Sequence, residues 1–267
     1  MEHVNLASII GMIFTLIAAV GLPITLAVIT RKKLKAEVIT MVVGAGTFLF
    51  FALILEKSLF NYLIVAMVGA EKLQSNIWIY AIFAGGEAAF FEEIGRFVSM
   101  KFLMKQNLNK QNSIMFGIGH GGIEAILITG FGSISNLLMT ALINSGTFET
   151  SLESLDVVKR EELIAQSEPL WTTAPGMFFL GGVERIAAIA LHIALSYFVY
   201  RAVKYKKISF LFVAIVFHFL IDACTVVMLK NFPDLVTELF IVVTSAAASF
   251  LAFKAYKDET KKAVTIE

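Results

Sequence analysis

The amino-acid sequence predicts an all-α polytopic membrane protein, a bundle of about seven transmembrane helices with an outside N-terminus and an inside C-terminus. Of its 267 residues, 58% are hydrophobic and 16% are charged, whereas soluble domains average about 45–50% and about 25%. Twenty-four phenylalanines and only four prolines favour long apolar helices. This composition excludes a disordered chain, a nucleic-acid-binding protein and an ordinary cytosolic enzyme.

Apolar stretches of about 20 residues mark the helices, because about 30 Å of hydrocarbon requires that length at about 1.5 Å per residue. The second stretch could continue through the moderately apolar residues 59–70. The first is not a cleavable signal peptide, since basic residues follow it in place of a small-residue cleavage site. The seven stretches are residues 4–30, 38–55, 77–98, 113–130, 175–200, 208–229 and 236–253.

The distribution of lysine and arginine orients the bundle. With the N-terminus outside, the four inside segments hold fifteen basic residues and the outside segments hold five. Cytoplasmic loops are enriched in Lys and Arg. The bias therefore predicts that the N-terminus lies outside and the C-terminus inside.

The longest polar segment, at about 131–173, then lies outside, within a single integral-membrane domain that covers residues 1–267. Thr150 and Glu153 have the spacing of a capping box ahead of apolar residues. We therefore expect an amphipathic helix on the outer surface. The simpler interpretation is a connecting helix, and a lid that gates a substrate site is the alternative.

Ionisable residues inside four of the seven helices are the most informative feature. Such a residue at a helix centre costs about 2.5–3.5 kcal/mol, so it normally faces the bundle interior and marks function. The first, second and seventh helices carry none and are expected to be scaffold. The other four carry, in chain order, Glu87, Glu92, Glu93 and Arg96; His120 and Glu124; Glu184, Arg185 and His192; His218 and Asp222.

Four of these residues, from four different helices, are predicted to lie at one depth. Glu92, His120, His192 and His218 are 9, 10, 9 and 11 residues from the nearest inside basic residue. At about 1.5 Å per residue, each lies about 13–17 Å from the inner boundary, near the bilayer midplane. Three of the four histidines of the chain therefore share this layer.

Spacing within the helices indicates which side chains share a face. Glu92 and Glu93 precede Arg96 by four and three residues, so both can pair with it. His120 precedes Glu124 by four residues, and His218 precedes Asp222 by the same distance. Each carboxylate can serve as a second ligand or orient its histidine. Four glycines around His120, between residues 117 and 122, let neighbouring helices approach closely.

Imidazoles and carboxylates at one depth suit a divalent metal, for which zinc with an open coordination position is chemically preferred. A metal of this kind activates a water molecule for hydrolysis, and a neighbouring glutamate can act as general base. The soluble zinc-protease motif H-E-x-x-H and the nucleophile elbow G-x-S-x-G are both absent from the sequence. The candidate metal ligands are His120, Glu124, His192, His218 and Asp222.

Three motifs resemble those of a known superfamily. They are E-E-x-x-R at Glu92–Arg96, F-x-x-x-H at Phe116–His120 and H-x-x-x-D at His218–Asp222. In this order they are similar to the CaaX-type prenyl endopeptidases and bacteriocin-processing proteases, and to the related PrsW proteases. The stretch GHGGIEAI that contains His120, with Glu184-Arg185 and His192 on the next core helix, resembles the YhfC-type intramembrane metalloproteases. The resemblance covers residues 77–229, the expected catalytic core.

The resemblance implies a membrane peptidase with its site in a water-accessible cavity. Glu92 would activate the water, His120 and His218 would bind metal or stabilise the oxyanion, and Arg96 would support the glutamate pair. CaaX-type members have three residues between the glutamates and the arginine, and this chain has two. The shorter spacing fits the PrsW-like pattern better, as does Asp222, and it leaves open whether Glu92 or Glu93 is the base.

The sequence therefore predicts a metal-dependent intramembrane peptidase that acts on a membrane-embedded or membrane-proximal protein or peptide. Its expected location is a prokaryotic plasma membrane, with the lipid bilayer as its surroundings and no nucleic-acid partner. A proton- or metal-coupled transporter would also place histidines and acids at the midplane. A non-catalytic membrane binding or immunity protein on the same fold is the other alternative.

Overall fold

In the computed structural model, residues 3–60, 62, 66 and 69–266 are described, and these residues contain helices and no strand. Seven long helices, here α1 to α7, follow one another along the chain. They are α1 (Leu6–Leu34), α2 (Val38–Ser58), α3 (Ile77–Val98), α4 (Lys110–Asn144), α5 (Pro175–Tyr205), α6 (Ser209–Asn231) and α7 (Asp234–Ile266). This architecture confirms the predicted all-α fold.

Six of the seven long helices in the described chain are long and apolar enough to cross a bilayer. The exception is α3, whose 22 residues would span about 33 Å but include four ionisable groups. Large apolar side chains such as Phe50, Trp78 and Phe212 are exposed on the helices, as a hydrocarbon surrounding requires. The protein is therefore a multi-pass integral membrane protein, and the predicted orientation stays a prediction.

Several helices are longer than the sequence predicts. The seventh continues past residue 253 to Ile266. The fourth does not end at Gly130 but continues to Asn144, because Phe131–Asn144 is itself a largely apolar helical segment. The second continues past Leu55 as a π-helical segment over Leu49–Phe60, and half of its suggested extension through residues 59–70 falls outside the described residues.

Short helices fill the polar segment, and the predicted capping box is wrong. Thr150 and Glu153 both lie inside the helix Thr147–Glu153. The next helix, Val157–Ser167, has Asp156 as its N-cap, and the carboxylate of Asp156 accepts the backbone N–H of Lys159 at 3.0 Å. An extended aspartate before a helical run is a stronger N-cap than a threonine already inside a helix. The helix Pro169–Thr172 follows.

The chain divides into two compact units. The smaller one comprises Met1–Leu22 and Ala125–Ile186. Its core contains Met12, Phe148 and Leu170, and Asn144 fixes the start of the chain, accepting the Val4 N–H at 2.8 Å and donating to the Val4 carbonyl at 3.2 Å. The predicted single domain stays a prediction.

The larger unit comprises Pro23–Glu124 and Ala187–Glu267. Its core contains Phe116, Leu195 and Tyr200. Helices α3 and α6 pack closely there, because Gly85 has no side chain: a Cβ at this position would lie 2.8 Å from the backbone nitrogen of Ala223. This close packing places the second half of α3 beside His218.

Candidate metal centre

All eight predicted site residues lie in the larger unit, and six of them are buried. Helix α3 carries Glu92, Glu93 and Arg96, α4 carries His120 and Glu124, α5 carries His192, and α6 carries His218 and Asp222. Glu93, Arg96 and His120 are fully enclosed. The side chain of Asp222 is the most open, at 36% exposure.

Glycines on α4 allow helices α5 and α2 to approach it closely. A Cβ at Gly121 would lie 2.8 Å from Cβ of His192, and one at Gly117 would lie 2.6 Å from Cα of Ile193. On another side, a Cβ at Gly119 would overlap the backbone carbonyl of Met41. Only residues without a side chain permit these approaches. The glycines therefore place His120 next to His192, and the two ring centroids are 5.3 Å apart.

Glu92, His120 and His192 form the group best arranged to hold a metal. One ligand atom from each lies within 4.8 Å of the other two. Oε2 of Glu92 is 2.9 Å from Nε2 of His120 and 3.9 Å from Nδ1 of His192. Two imidazoles and one carboxylate are a known zinc ligand set in hydrolases.

A second observation supports a cation here. Nδ1 of His120 is buried and has no hydrogen-bond partner among the described residues. The ring lies between Phe48, at 5.3 Å and edge-on, and Phe116, at 6.2 Å and stacked. Buried polar atoms are normally satisfied, so Nδ1 of His120 lacks the partner that a buried ring nitrogen usually has.

Arg96 is the only cation that the described structure places against both glutamates. Its guanidinium donates to Glu92 at 3.2 Å, forms an ion pair with Glu93, and lies 2.5 Å from Nδ1 of His192. The guanidinium is planar and carries five N–H donors, so it can donate to several acceptors at once. Pairing makes two buried carboxylates tolerable on one helix.

His218 is held by carboxylates on both ring nitrogens. Nδ1 is 2.8 Å from Glu93 and Nε2 is 3.3 Å from Asp222. His192 has a carboxylate of its own, since its Nε2 is 2.5 Å from Glu124. Among the described residues, His218, Asp222 and Glu124 thus surround the Glu92, His120 and His192 group without joining it.

The other ionisable residues predicted inside the helices are Glu87, Glu184 and Arg185. Glu184 and Arg185 form an ion pair with each other and belong to the smaller unit. Glu87 lies on α3, five residues before Glu92, and is half-buried.

Glu56 is a buried acid that the sequence does not single out. The predicted second helix ends one residue before it, at Leu55, but α2 continues through Glu56, and only 7% of the residue is exposed. Phe51 packs where a Cβ of Gly95 would lie, and α2 and α3 run in opposite directions. Five residues beyond Phe51, Glu56 therefore lies at a depth between Glu87 and Glu92. The signal available in the sequence was an acidic residue directly after an apolar stretch.

The fold and this cluster define a class of protein, a multi-pass helical membrane protein with a candidate metal centre between its helices. A family model described as "YhfC intramembrane metalloprotease" matches residues 18–243, a range that contains all eight predicted site residues. The chain belongs to this family. The relationship to the CaaX-type and PrsW proteases stays a resemblance in the motifs.

A curated bacterial relative supports the family assignment. The chain is 39% identical, over 228 residues, to "Uncharacterized membrane protein YhfC" of Bacillus subtilis (strain 168). The alignment covers 85% of this chain and 87% of the relative. No solved structure matches the chain.

Proposed function

We propose that the protein is a zinc-dependent peptidase that hydrolyses a peptide bond of a membrane-embedded or membrane-proximal protein or peptide. The observation that carries the proposal is the buried Glu92, His120 and His192 group, whose ligand atoms lie within 4.8 Å of one another. The family description, an intramembrane metalloprotease, supports the same chemistry. When bound, zinc supplies a Lewis acid that activates water.

In this proposal Glu92, His120 and His192 hold the metal, and Glu124 is a positioning residue. A carboxylate on the second nitrogen of a metal-binding histidine fixes its tautomer and ring orientation. Glu124, at 2.5 Å from Nε2 of His192, would have that role in this proposal. Nδ1 of His192 is then the ligand atom, on the side of Glu92, and the Arg96 guanidinium, 2.5 Å from this nitrogen, would have to move away when the metal binds.

In this proposal Glu93 acts as the general base, because Glu92 is used as a metal ligand. Hydrolysis needs a group that takes a proton from water and delivers it to the leaving amine when the C–N bond breaks. Oε1 of Glu93 is held by Arg96 and His218, whereas Oε2 has no hydrogen-bond partner among the described residues. The free oxygen can accept the proton while the other fixes the carboxylate.

Zinc content tests the ligand assignment. The purified full-length protein is equilibrated with zinc, and bound metal is measured by elemental analysis beside His192→Ala, His218→Ala and Glu87→Gln variants. We expect about one zinc per chain, as one catalytic site holds, with loss in His192→Ala and retention in the other two. Loss in His218→Ala with retention in His192→Ala would support the His120 and His218 pair that the family motifs imply.

Cleavage is tested by labelling new peptide N-termini in membranes that contain the protein. Wild type, Glu93→Gln and the matched control Glu87→Gln, a glutamate on the same helix, are expressed at equal levels. We expect new N-termini in wild type and control, and a decrease of at least about 100-fold in Glu93→Gln, the lower range for loss of a general base. Identical N-termini in all three samples would reject a peptidase that uses Glu93.

A further inference from the structure

A second candidate binding site lies between α5 and α7 in the larger unit. It is an apolar groove of about 390 Å³, lined on α5 by Ala190, Ile193 and Tyr197 and on α7 by Ala252, Phe253 and Tyr256. Phe253 is 55% exposed. The groove therefore offers hydrocarbon contact over about two turns of each helix.

The polar atoms along the groove are largely used within the protein. The Ser249 hydroxyl donates to the Ala190 carbonyl at 3.3 Å. The Tyr197 hydroxyl donates to Glu259 at 2.7 Å. A ligand in the groove would therefore meet mainly apolar surface, which suits an acyl chain and not a polar solute.

Cations surround one end of the same groove. Nζ of Lys110 is 4.8 Å from the ring centroid of Tyr256, and Nζ of Lys257 is 4.4 Å from that of Phe253. Both rings line the groove, so each ammonium is held beside its wall. The last turn of α1 adds Arg31, Lys32 and Lys33 next to Leu34, another lining residue.

The Glu259 carboxylate lies near this end and accepts the hydroxyls of both Tyr197 and Tyr200, at 2.7 and 2.8 Å. Lys110 donates to the Thr260 hydroxyl at 2.6 Å, which fixes its position without neutralising its charge. The basic residues Lys110, Lys257 and those of the last turn of α1 outnumber the two neighbouring acids, Asp258 and Glu259, so the net formal charge of these groups is positive.

We propose that this groove binds an anionic phospholipid, with an acyl chain between α5 and α7 and the headgroup phosphate beside Lys110 and Lys257. The apolar wall and the cationic end match the two parts of one amphiphile. Basic pockets between transmembrane helices recognise anionic headgroups in this way, and each surface lysine contributes about fivefold to affinity. The inference does not depend on the peptidase activity.

Lipid affinity tests the proposal. The full-length protein in detergent is titrated with dioleoylphosphatidylglycerol or dioleoylphosphatidylcholine, and bound lipid is counted by native mass spectrometry. Wild type is expected to prefer the anionic lipid at least tenfold. Lys110→Gln/Lys257→Gln should lose most of this preference, whereas Lys159→Gln/Lys230→Gln, with the same change in charge elsewhere, should keep it. Equal affinity for the two lipids, or equal loss in both double variants, would overturn the proposal.

A photo-crosslink identifies the occupant without altering the lysines. p-Benzoylphenylalanine replaces Phe253, an exposed aromatic position, in protein reconstituted into vesicles of dioleoylphosphatidylglycerol. Irradiation should yield a phosphatidylglycerol adduct, and a tenfold preference for this lipid should limit the fall in adduct yield to about twofold when the lipid is diluted tenfold with phosphatidylcholine. A crosslink to a second copy of the chain in place of lipid would contradict the proposal, as would an adduct yield that falls in proportion to the dilution.

Discussion

Spacing along single helices predicted several side-chain pairs correctly. Glu92 pairs with Arg96 at 3.2 Å, and His218 contacts Asp222 at 3.3 Å, because residues four apart share a helix face. Glu124 instead contacts His192, from another helix. The sequence predicted the members of this cluster from their depth, but pairing between helices depends on packing that no spacing rule encodes.

Arg96 compensates the charge of two glutamates, so its loss should be severe. Replacing it by leucine leaves Glu92 and Glu93 buried without a cation. Removal of one partner from a buried ion pair costs about 3–5 kcal/mol, and we expect Arg96→Leu to lower the free energy of unfolding in mixed micelles by that amount. Adding Glu92→Gln/Glu93→Gln to this variant should restore much of the lost free energy of unfolding. A loss below about 1 kcal/mol would show that the glutamates do not rely on Arg96.

Replacing Glu56 should raise the stability of the protein, in contrast to replacing Arg96. Its Oε2 is buried with no hydrogen-bond partner among the described residues, and the charges acting on it include Glu92 and Glu87. A buried carboxyl without compensation is destabilising, so Glu56→Gln should raise the free energy of unfolding by about 1 kcal/mol. Glu93→Gln, which loses two partners, should lower it. A decrease in Glu56→Gln would show that the carboxyl has a stabilising partner.

At the scale of the helix, glycines set how closely α4 approaches its neighbours. Gly121→Ala places a methyl group against His192, whereas Gly132→Ala, on the same helix, meets open space. Overpacking costs about 1–3 kcal/mol, and alanine in an open helical position gains up to about 1 kcal/mol. We expect Gly121→Ala to lower thermal stability and bound zinc, and Gly132→Ala to leave both intact. Equal stability of the two variants would refute close α4–α5 packing at Gly121.

The stability of the helix Val157–Ser167 should depend on pH through its N-cap residue, Asp156. The Lys159 backbone N–H that donates to Asp156 lowers the pKa of this carboxyl. Because the pKa falls on folding, the cap stabilises the helix above the unfolded value of about 3.9, and its contribution is lost as pH falls through the lower folded value. Hydrogen exchange of the Lys159 amide should therefore accelerate in acid.

Asp156→Asn provides the control for this cap. Asparagine also caps helices but does not ionise, so protection of the Lys159 amide should persist through the same acid range. Asp156→Ala should lose protection at every pH. Identical pH profiles for wild type and Asp156→Asn would contradict the assignment.

Helix ends were harder to predict than helix positions. The length of the apolar stretches located every long helix, because a helix needs about 20 apolar residues to cross the hydrocarbon of a bilayer. It did not reveal that α4 continues to Asn144 or that α2 contains Glu56. The glycine and serine residues that follow Gly130, and the charged Glu56, resemble loop residues in sequence, and neighbouring helices decide whether the chain remains helical.

For the whole molecule, orientation is the prediction most directly tested. The basic residues place the N-terminus outside. With Cys224 replaced by serine, a cysteine at His3 should react with a membrane-impermeant maleimide in intact cells, whereas one at Lys257 should react only after lysis. The reverse labelling would invert the topology, and with it the side from which substrate and lipid approach.

The charges of α3 have a consequence for how the protein is made. Glu87, Glu92, Glu93 and Arg96 together oppose partition of this helix into lipid by an amount of order 10 kcal/mol. Arg96 can pair with Glu92 and Glu93 within α3, but the histidines that complete the cluster are supplied later in synthesis, by α4, α5 and α6. Helix α3 therefore depends on parts of the chain that the ribosome has yet to deliver, and it should remain at the translocon until they emerge. A chain that stops before His218 would present an unstable span to the quality-control proteases of the membrane.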